Sequence, residues 1–299
     1  MKTYKFTYDS FPEINEQISL CLGFFDGVHL GHQKIINEAK KLGNKVGVLS
    51  FSNSVYNHLN KTCELVTPSL FKEKILKDMG VDYYFEIEMS KNLINCSKTK
   101  FIKNLKLLNP KVCLCGTDYT FGKGRAGTIV DLQKNFEIKI VDFVDFEGEK
   151  IGTRRIFKAI KSGDMFLAKE MLGRNYLVSG KVIEGLHNGA KLGFPTANIE
   201  LKDFVLPREG VYFGYAIIDD KKYPSFASFG THPTIDKLDC PILEVHIFDF
   251  NKDLYDEDIG FEFIQFTREN HHFYSEFDLI EQLNSDKKDA KEFFNKKNL

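Results

Sequence analysis

GFFDGVHLGHQK, Gly23 to Lys34, decides the fold of the first half of this chain. The apolar run Ile18 to Phe25 predicts a buried strand, Asp26-Gly27 is a turn dipeptide, and the residues from about His29 onward predict a helix. A strand running through a glycine turn into a helix N-terminus leaves unpaired N–H groups and a partial positive charge, and both favour an anionic oxygen. Gly27 and Gly31 have no Cβ to block a ligand. His29 and His32, three apart, share a helical face where two imidazoles can donate to one triphosphate. A lone H-x-x-H would be two surface histidines beside ordinary turn glycines. Here the strand before and the helix after supply the context of a nucleotide motif.

Downstream, Lys45 to Phe51 reads as a short strand, and Ser69 to Met79 as a helix with Phe71, Ile75 and Met79 at i, i+4 spacing, ended by Gly80. Val81 to Ile87 is a strand, Ser97 to Leu108 a helix closed by Asn109-Pro110, and Lys111 to Gly116 and Ile138 to Phe146 are strands. Strands alternating with helices predict a parallel sheet covered on both faces, with ligand beyond the carboxyl ends of its strands. The loop GTDYTFGKGRAGT, Gly116 to Thr128, lies at such an end. Its glycines permit a tight wrap, Lys123 and Arg125 supply charge, and Asp118 can bond an amide, a hydroxyl or a hydrated metal; the same composition fits a solvated hairpin tip. In KIGTRRIFKAIK, Lys150 to Lys161, Arg154 and Arg155 open a helix with cations, which opposes the dipole unless an anion is shared.

From about Asn175 the pattern changes to short alternating segments near 177–185, 194–201, 211–219, 223–230, 242–250 and 260–267, with turn residues between them. Such repetition predicts an antiparallel barrel or sandwich, closed by an amphipathic helix, Ser275 to Asn295, with apolar Phe277, Ile280, Leu283 and Phe293. The glycine-dense stretch Gly180 to Asn198 ends in Pro195-Thr196-Ala197-Asn198. On a strand, Thr196 and Asn198 share a face, so a hydroxyl and an amide oxygen can meet a hard cation such as Mg²⁺, or a phosphate; a polar pair on a wet sheet face reads the same way. Glu244, His246 and Phe248 alternate with Leu243, Val245 and Ile247. A Glu244 lining a barrel interior is a candidate general base, and a Glu244 facing solvent is the alternative.

Composition bounds the rest. At 299 residues the chain has room for two domains, and 42% hydrophobic with 28% charged residues is globular. A net charge of -1 offers no general attraction to nucleic acid or an anionic membrane. The first residues lack the apolar core of a signal peptide, and no run of about 18 apolar residues spans a bilayer, so a cytoplasmic location is expected. Cysteines 21, 63, 96, 113, 115 and 240 are too scattered for a disulfide framework, and Cys113 and Cys115, alternating on one strand, read as core.

Together these motifs resemble the bacterial bifunctional riboflavin kinase/FAD synthetase family over essentially the whole chain. GFFDGVHLGHQ is similar to its opening nucleotide motif, GTDYTFGKGRAG to its second loop, and EMLGRNYLVSGKVIEG with LGFPTAN to the start of its kinase barrel. FGTHPTI, LEVHIFDFNKDLY and TRENHHFYSEFDLIEQLNSD extend the likeness to the last helix. The resemblance implies an α/β plus β chain. Residues 1–173 would form a doubly wound, parallel-sheet nucleotidyltransferase domain of Rossmann-like H-x-G-H type, and residues 174–299 a six-stranded antiparallel flavokinase β-barrel with a C-terminal helix. It further implies that the barrel phosphorylates the terminal ribityl hydroxyl of riboflavin from Mg·ATP, with Thr196 and Asn198 on Mg²⁺ and Glu244 taking the proton. In the first domain FMN would attack the α-phosphate of a second ATP, giving FAD and pyrophosphate, with His29 and His32 stabilising charge. Implied nucleotide contacts are Gly23, Phe25, Asp26, Gly27, Gly31, Asp118, Arg125 and Arg155 in the first domain, and Gly180, Gly185, Lys191 and Gly193 in the second. Phe121 and Arg268 are the implied flavin contacts. Riboflavin, FMN and ATP are the expected partners, with neither nucleic acid nor membrane.

The departures fall mostly in the first domain. Gly152-Thr153-Arg154-Arg155-Ile156-Phe157 stands where the family has Ser-Ser-Thr-x-x-Arg, and Ser52-Asn53-Ser54 where it has Pro-His-Pro. In the second half Ala190 replaces an arginine and Asp256 a glycine, while the PTAN and Glu positions are intact. Two other functions fit parts of this pattern: a riboflavin kinase with a degenerate nucleotidyltransferase domain, and a non-catalytic flavin- and nucleotide-binding regulator. A tRNA-acting enzyme with an H-x-G-H helix is a third, but no basic surface signal accompanies it.

Overall fold

The computed structural model describes residues 1–61, 64–185, 192–230 and 242–297. They form two compact units, Met1–Ile156 and Phe157–Leu299. In chain order the elements up to the division are β1 (Lys2–Phe6), β2 (Ile18–Leu22), α1 (Leu30–Lys40), β3 (Lys45–Phe51), α2 (Val55–Asn60), α3 (Ser69–Asp78), β4 (Tyr83–Ile87), α4 (Lys91–Ile94), α5 (Lys98–Leu105), β5 (Pro110–Gly116), β6 (Thr120–Phe121), β7 (Gly127–Thr128), α6 (Ile129–Gln133), β8 (Ile138–Val141), β9 (Asp145–Phe146), β10 (Glu149–Lys150) and α7 (Thr153–Ser162), inside which the division falls.

The first unit is a parallel sheet in the order β1-β4-β3-β2-β5-β8. The central strands are buried on both faces, as in Ile18–Leu22 and Tyr83–Ile87, so they read as continuous apolar runs. Alternate residues feed two cores. Leu20, Cys113 and Cys115 pack with Phe101 and Leu105 of α5, while Cys21, Val48 and Leu114 pack with Ile36 of α1 and Leu76 of α3. The expected shared face of Cys113 and Cys115 is therefore present.

Two expected strands are shorter than their apolar runs. The strand expected to reach Phe25 stops at Leu22, because Phe25 (φ 52) turns left-handed and buries its ring under the turn. Val28 is also left-handed (φ 38), a strained state for a β-branched residue of the kind found at functional turns. The run Ile138 to Phe146 is not one strand either. β8 ends at Val141, and Glu147 (φ 56) and Gly148 (φ 76) then close the β9–β10 hairpin through two consecutive left-handed residues.

The second unit holds α8 (Met165–Leu172), β11 (Tyr176–Ile183), β12 (Ala197–Glu200), β13 (Gly210–Ile218), β14 (Lys221–Phe229), β15 (Ile242–Ile247), β16 (Asp258–Arg268) and α9 (Glu276–Lys297). Its strands close into an antiparallel barrel in the order β11-β12-β15-β14-β13-β16, so the barrel, not the sandwich, is the observed form. Tyr176, Val178, Ile199, Tyr212, Leu243, Val245, Phe261 and Phe263 fill it, all essentially solvent-free. On the outside, Phe213, Phe226 and Phe248 meet Ala290 and Phe294 of α9. Of the expected apolar face of that helix, Leu283 and Phe293 pack against this cluster, while Phe277 is exposed; Asp286 and Ala290 are buried as well. The segment expected as a strand from residue 194 starts its ladder at Ala197, since Pro195 has no N–H to donate.

Candidate active sites

In the first unit, a cavity of about 960 Å³ opens beyond the carboxyl ends of β2, β3 and β5. Gly23, Gly31, His29 and His32 line it, with Asp118, Phe121 and Arg125 from the second loop and Lys150 and Gly152 before α7. His29 is the N-cap of α1, and its Nδ1 accepts the backbone N–H of His32 at 3.4 Å. A neutral His29 thus carries its proton on Nε2, which leaves that nitrogen as a donor. The two imidazoles stack with centroids 3.7 Å apart, and Phe25 packs on His32 at 4.8 Å. Burial, then the neighbouring His29 and the Lys72 cation, hold His32 well below the usual histidine range, so its ring is neutral. The Nδ1 of His32 is buried with no hydrogen-bond partner among the described residues.

Other expected contacts sit elsewhere. Phe25, Asp26 and Gly27 lie buried behind the turn and do not line the cavity. The Asp26 carboxylate accepts the N–H groups of Thr67 (2.9 Å) and Val66 (3.3 Å), tying the turn to the start of α3. Arg155 donates to the carbonyls of Phe146 (2.8 Å) and Glu149 (3.1 Å), so it holds the β9–β10 hairpin and is absent from the lining. Asp118 pairs with Lys150 at 2.5 Å, which keeps its carboxyl below the usual range. Arg125 is exposed on the rim. Phe121 packs on Phe101, and a Cβ on Gly127 would lie 2.6 Å from the Phe121 ring, so a glycine there lets the ring turn inward. The rewritten segment contributes Gly152 to the lining, and the Thr153 hydroxyl donates to the Asp26 carbonyl at 3.2 Å.

One group escaped the sequence reading. Lys72, fully buried on α3, donates to the carbonyls of Phe24 (3.3 Å) and Phe51 (3.2 Å) and to the Ser50 hydroxyl (3.1 Å). Phe24 and Phe51 line the cavity, so this ammonium pins the ends of β2 and β3 beneath it. Burial pushes its pKa down, opposed by Asp26 and Glu86. Its position one turn before the buried Leu76 was the available signal.

In the second unit a smaller cavity of about 240 Å³ is lined by Gly185, Pro195, Thr196, Asn198 and the Phe250 to Tyr255 loop, with Val182, Val245 and Ile247 of the barrel. Asn198 pairs with Glu244 across β12–β15, and Ser228 pairs with Glu244 from the other side. Since Leu243 and Val245 point inward, Glu244 lies on the outer face with Asn198, not in the barrel interior. A Cβ on Gly185 would fall 2.1 Å from the Asn198 amide, so the glycine backbone cradles that side chain. Gly180 likewise lets β11 approach the Glu200 carbonyl, where a Cβ would sit at 1.8 Å. Gly193 is left-handed (φ 82) ahead of Phe194. Lys191 lies outside the described residues. Arg268 is occupied by Asp286 of α9 through paired bonds of 2.9 and 2.6 Å.

Among the described residues, no group of three or more His, Cys, Asp or Glu side chains is placed to hold a metal ion, and no helix is long and apolar enough to cross a membrane.

The chain matches the riboflavin kinase (flavokinase) family over residues 172–294 and the FAD synthetase family over residues 11–155. It is 33% identical to the bifunctional riboflavin kinase/FMN adenylyltransferase of Listeria monocytogenes, over 97% of this chain and 96% of that one. The Bacillus subtilis protein of the same description is 31% identical, over 98% of both. A crystal structure from Streptococcus pneumoniae described as a macrolide-efflux protein superposes with a TM-score of 0.87 at 29% identity, covering 97% of this chain and 98% of that one. With both site regions in place and the likeness running almost end to end, the chain belongs to the bifunctional riboflavin kinase/FMN adenylyltransferase family.

Proposed function

We propose that this protein makes FAD in two steps, phosphorylating riboflavin to FMN in the region 174–299 and adenylylating FMN in the region 1–173, in the cytoplasm, without nucleic acid or membrane. The observation that carries the reading is the pairing of Asn198 with Glu244 on the outer face of the barrel: Thr196 and Asn198 line the cavity, and Glu244 stands across the ladder from Asn198, next to that lining. Glu244 accepts the proton of the ribityl hydroxyl as it attacks the γ-phosphate. The Thr196 hydroxyl and Asn198 carbonyl oxygen are hard donors of the kind Mg²⁺ takes, and the Gly185 cradle fixes the amide, so the residues fit that ion. Bound Mg²⁺ would supply charge neutralisation at the transferring phosphate.

In the first unit, FMN phosphate attacks the α-phosphate of ATP and pyrophosphate leaves. His29 donates through Nε2, the neutral His32 stacks on it and holds its ring in place, and Gly23 and Gly31 allow close approach of the phosphates. Arg125 adds positive charge at the rim, while the Lys150 charge is shared with Asp118. Phe121 offers a ring face to the flavin.

Separated variants test the reading. Glu244→Gln is expected to form no FMN from riboflavin yet convert supplied FMN to FAD, and His29→Ala to stop at FMN. Undiminished kinase activity in Glu244→Gln would refute the assignment of the base, and loss of both reactions in either variant would refute separate sites.

A further inference from the structure

The β12–β15 ladder ends at the pair Ala197–Val245, so Thr196 lies one residue beyond it, with no ladder partner among the described residues. The next residue on β15 is His246, and its Nδ1 lies 2.9 Å from the carbonyl oxygen of Pro195, the residue before Thr196. A carbonyl only accepts, so Nδ1 carries the proton. The imidazole is 5% exposed and is held among Phe194, Phe226 and Phe248 at centroid distances of 5.5, 5.1 and 5.7 Å. A buried ring locked by three aromatics thus does by side chain what the ladder stops doing by backbone.

We propose that His246 is a positioning residue of the kinase site: through Pro195 it fixes the peptide that presents the Thr196 hydroxyl, and so sets how well the Thr196–Asn198 pair accepts a magnesium nucleotide. It touches neither nucleotide nor flavin. The inference rests on the reading of Thr196 and Asn198 as the metal pair.

The test uses the full chain labelled with ¹³C-methyl threonine. The Thr196 methyl signal follows ADP binding at this site, with and without Mg²⁺. His246→Phe keeps the aromatic cluster and loses the donor. It is expected to lower the magnesium-dependent gain in ADP affinity about tenfold, the low end for removing a group that orients a metal ligand. Affinity without Mg²⁺ and the adenylyltransferase rate stay as in the wild type. His246→Gln, which keeps an amide donor, is expected to recover most of the gain. A wild-type magnesium gain in His246→Phe overturns the proposal. Asn198→Ala separates the two readings: if it too keeps the full gain, the metal pair itself is misassigned, whereas loss in Asn198→Ala with none in His246→Phe removes only the role of His246. Should His246→Phe fail to fold, the wild type still decides. The His246 Nδ1 proton is expected in slow exchange and to shift with the Thr196 methyl when Mg·ADP is added. A fast-exchanging or unmoved proton overturns the proposal.

Discussion

Replacing Lys72 by Met tests whether a buried cation holds the nucleotide cavity together. Its ammonium donates to Phe24 O, Phe51 O and Ser50 Oγ at 3.3, 3.2 and 3.1 Å, in a site with no exposure to water. Bonds to a charged group contribute about 1.5–3 kcal/mol each, but one ammonium repays one desolvation cost, so the three do not add. Removing one partner of a buried charge arrangement costs about 3–5 kcal/mol, and that is the expected loss. For a slope of about 2 kcal/mol/M in urea, the midpoint for the first unit falls by roughly 2 M. Adenylyltransferase activity reports that unit in the full chain, and kinase activity reports the barrel, whose midpoint stays fixed. The pH dependence adds a sign. Burial raises the Asp26 carboxyl, and Lys72 is the main group opposing that rise. Without Lys72, Asp26 takes up a proton more readily in the folded state, so stability is present at low pH and lost as pH rises through the folded pKa. The penalty is therefore smaller at pH 5 than at pH 8. A midpoint shift under about 0.5 M, or equal losses in both activities, would refute the reasoning.

Gly185→Ala places a Cβ 2.1 Å from the Asn198 amide and is expected to lower kinase activity at least about tenfold while FAD formation from supplied FMN is unchanged. Since burial holds His32 below its ordinary 6.5, the unfolded chain binds a proton first as pH falls; stability of the first unit is full above about 6.5 and declines below it. Melting between pH 7.5 and 5.5 should show that decline, flattened in His32→Gln. Arg268→Ala strands the buried Asp286 carboxylate and is expected to destabilise the barrel by about 2–3 kcal/mol, partly restored by adding Asp286→Asn; a raised KM for riboflavin at unchanged stability would give Arg268 a flavin role instead.

The sequence was most legible where one strand carries its own signal. Lys45–Phe51 has the limits read from its apolar run, and the alternation of Glu244 with Leu243 and Val245 was readable as opposite faces. Which face is inward was not, because a period of two separates faces without naming the core; of the aromatics around His246 only Phe248 is on its own segment, and Phe226 and Phe194 come from β14 and from the segment before β12. β1 escaped because an edge strand alternating between exposed and half-buried residues, Lys2–Phe6, has no apolar run. The roles of Lys72, Arg155 and Arg268 were hidden for a common reason. Each cation is claimed by acceptors on other segments, and spacing along one element does not reveal them. The closeness of Gly185 to the Asn198 amide was not legible, because the two lie on different segments and only the folded backbone brings them together.

The most direct test is a time course of purified protein with riboflavin and Mg·ATP, resolved by HPLC. The account predicts that FMN appears first and FAD follows, with one ADP and one pyrophosphate released per FAD. FMN accumulating without FAD would contradict the second activity, and riboflavin left unchanged would contradict the account as a whole.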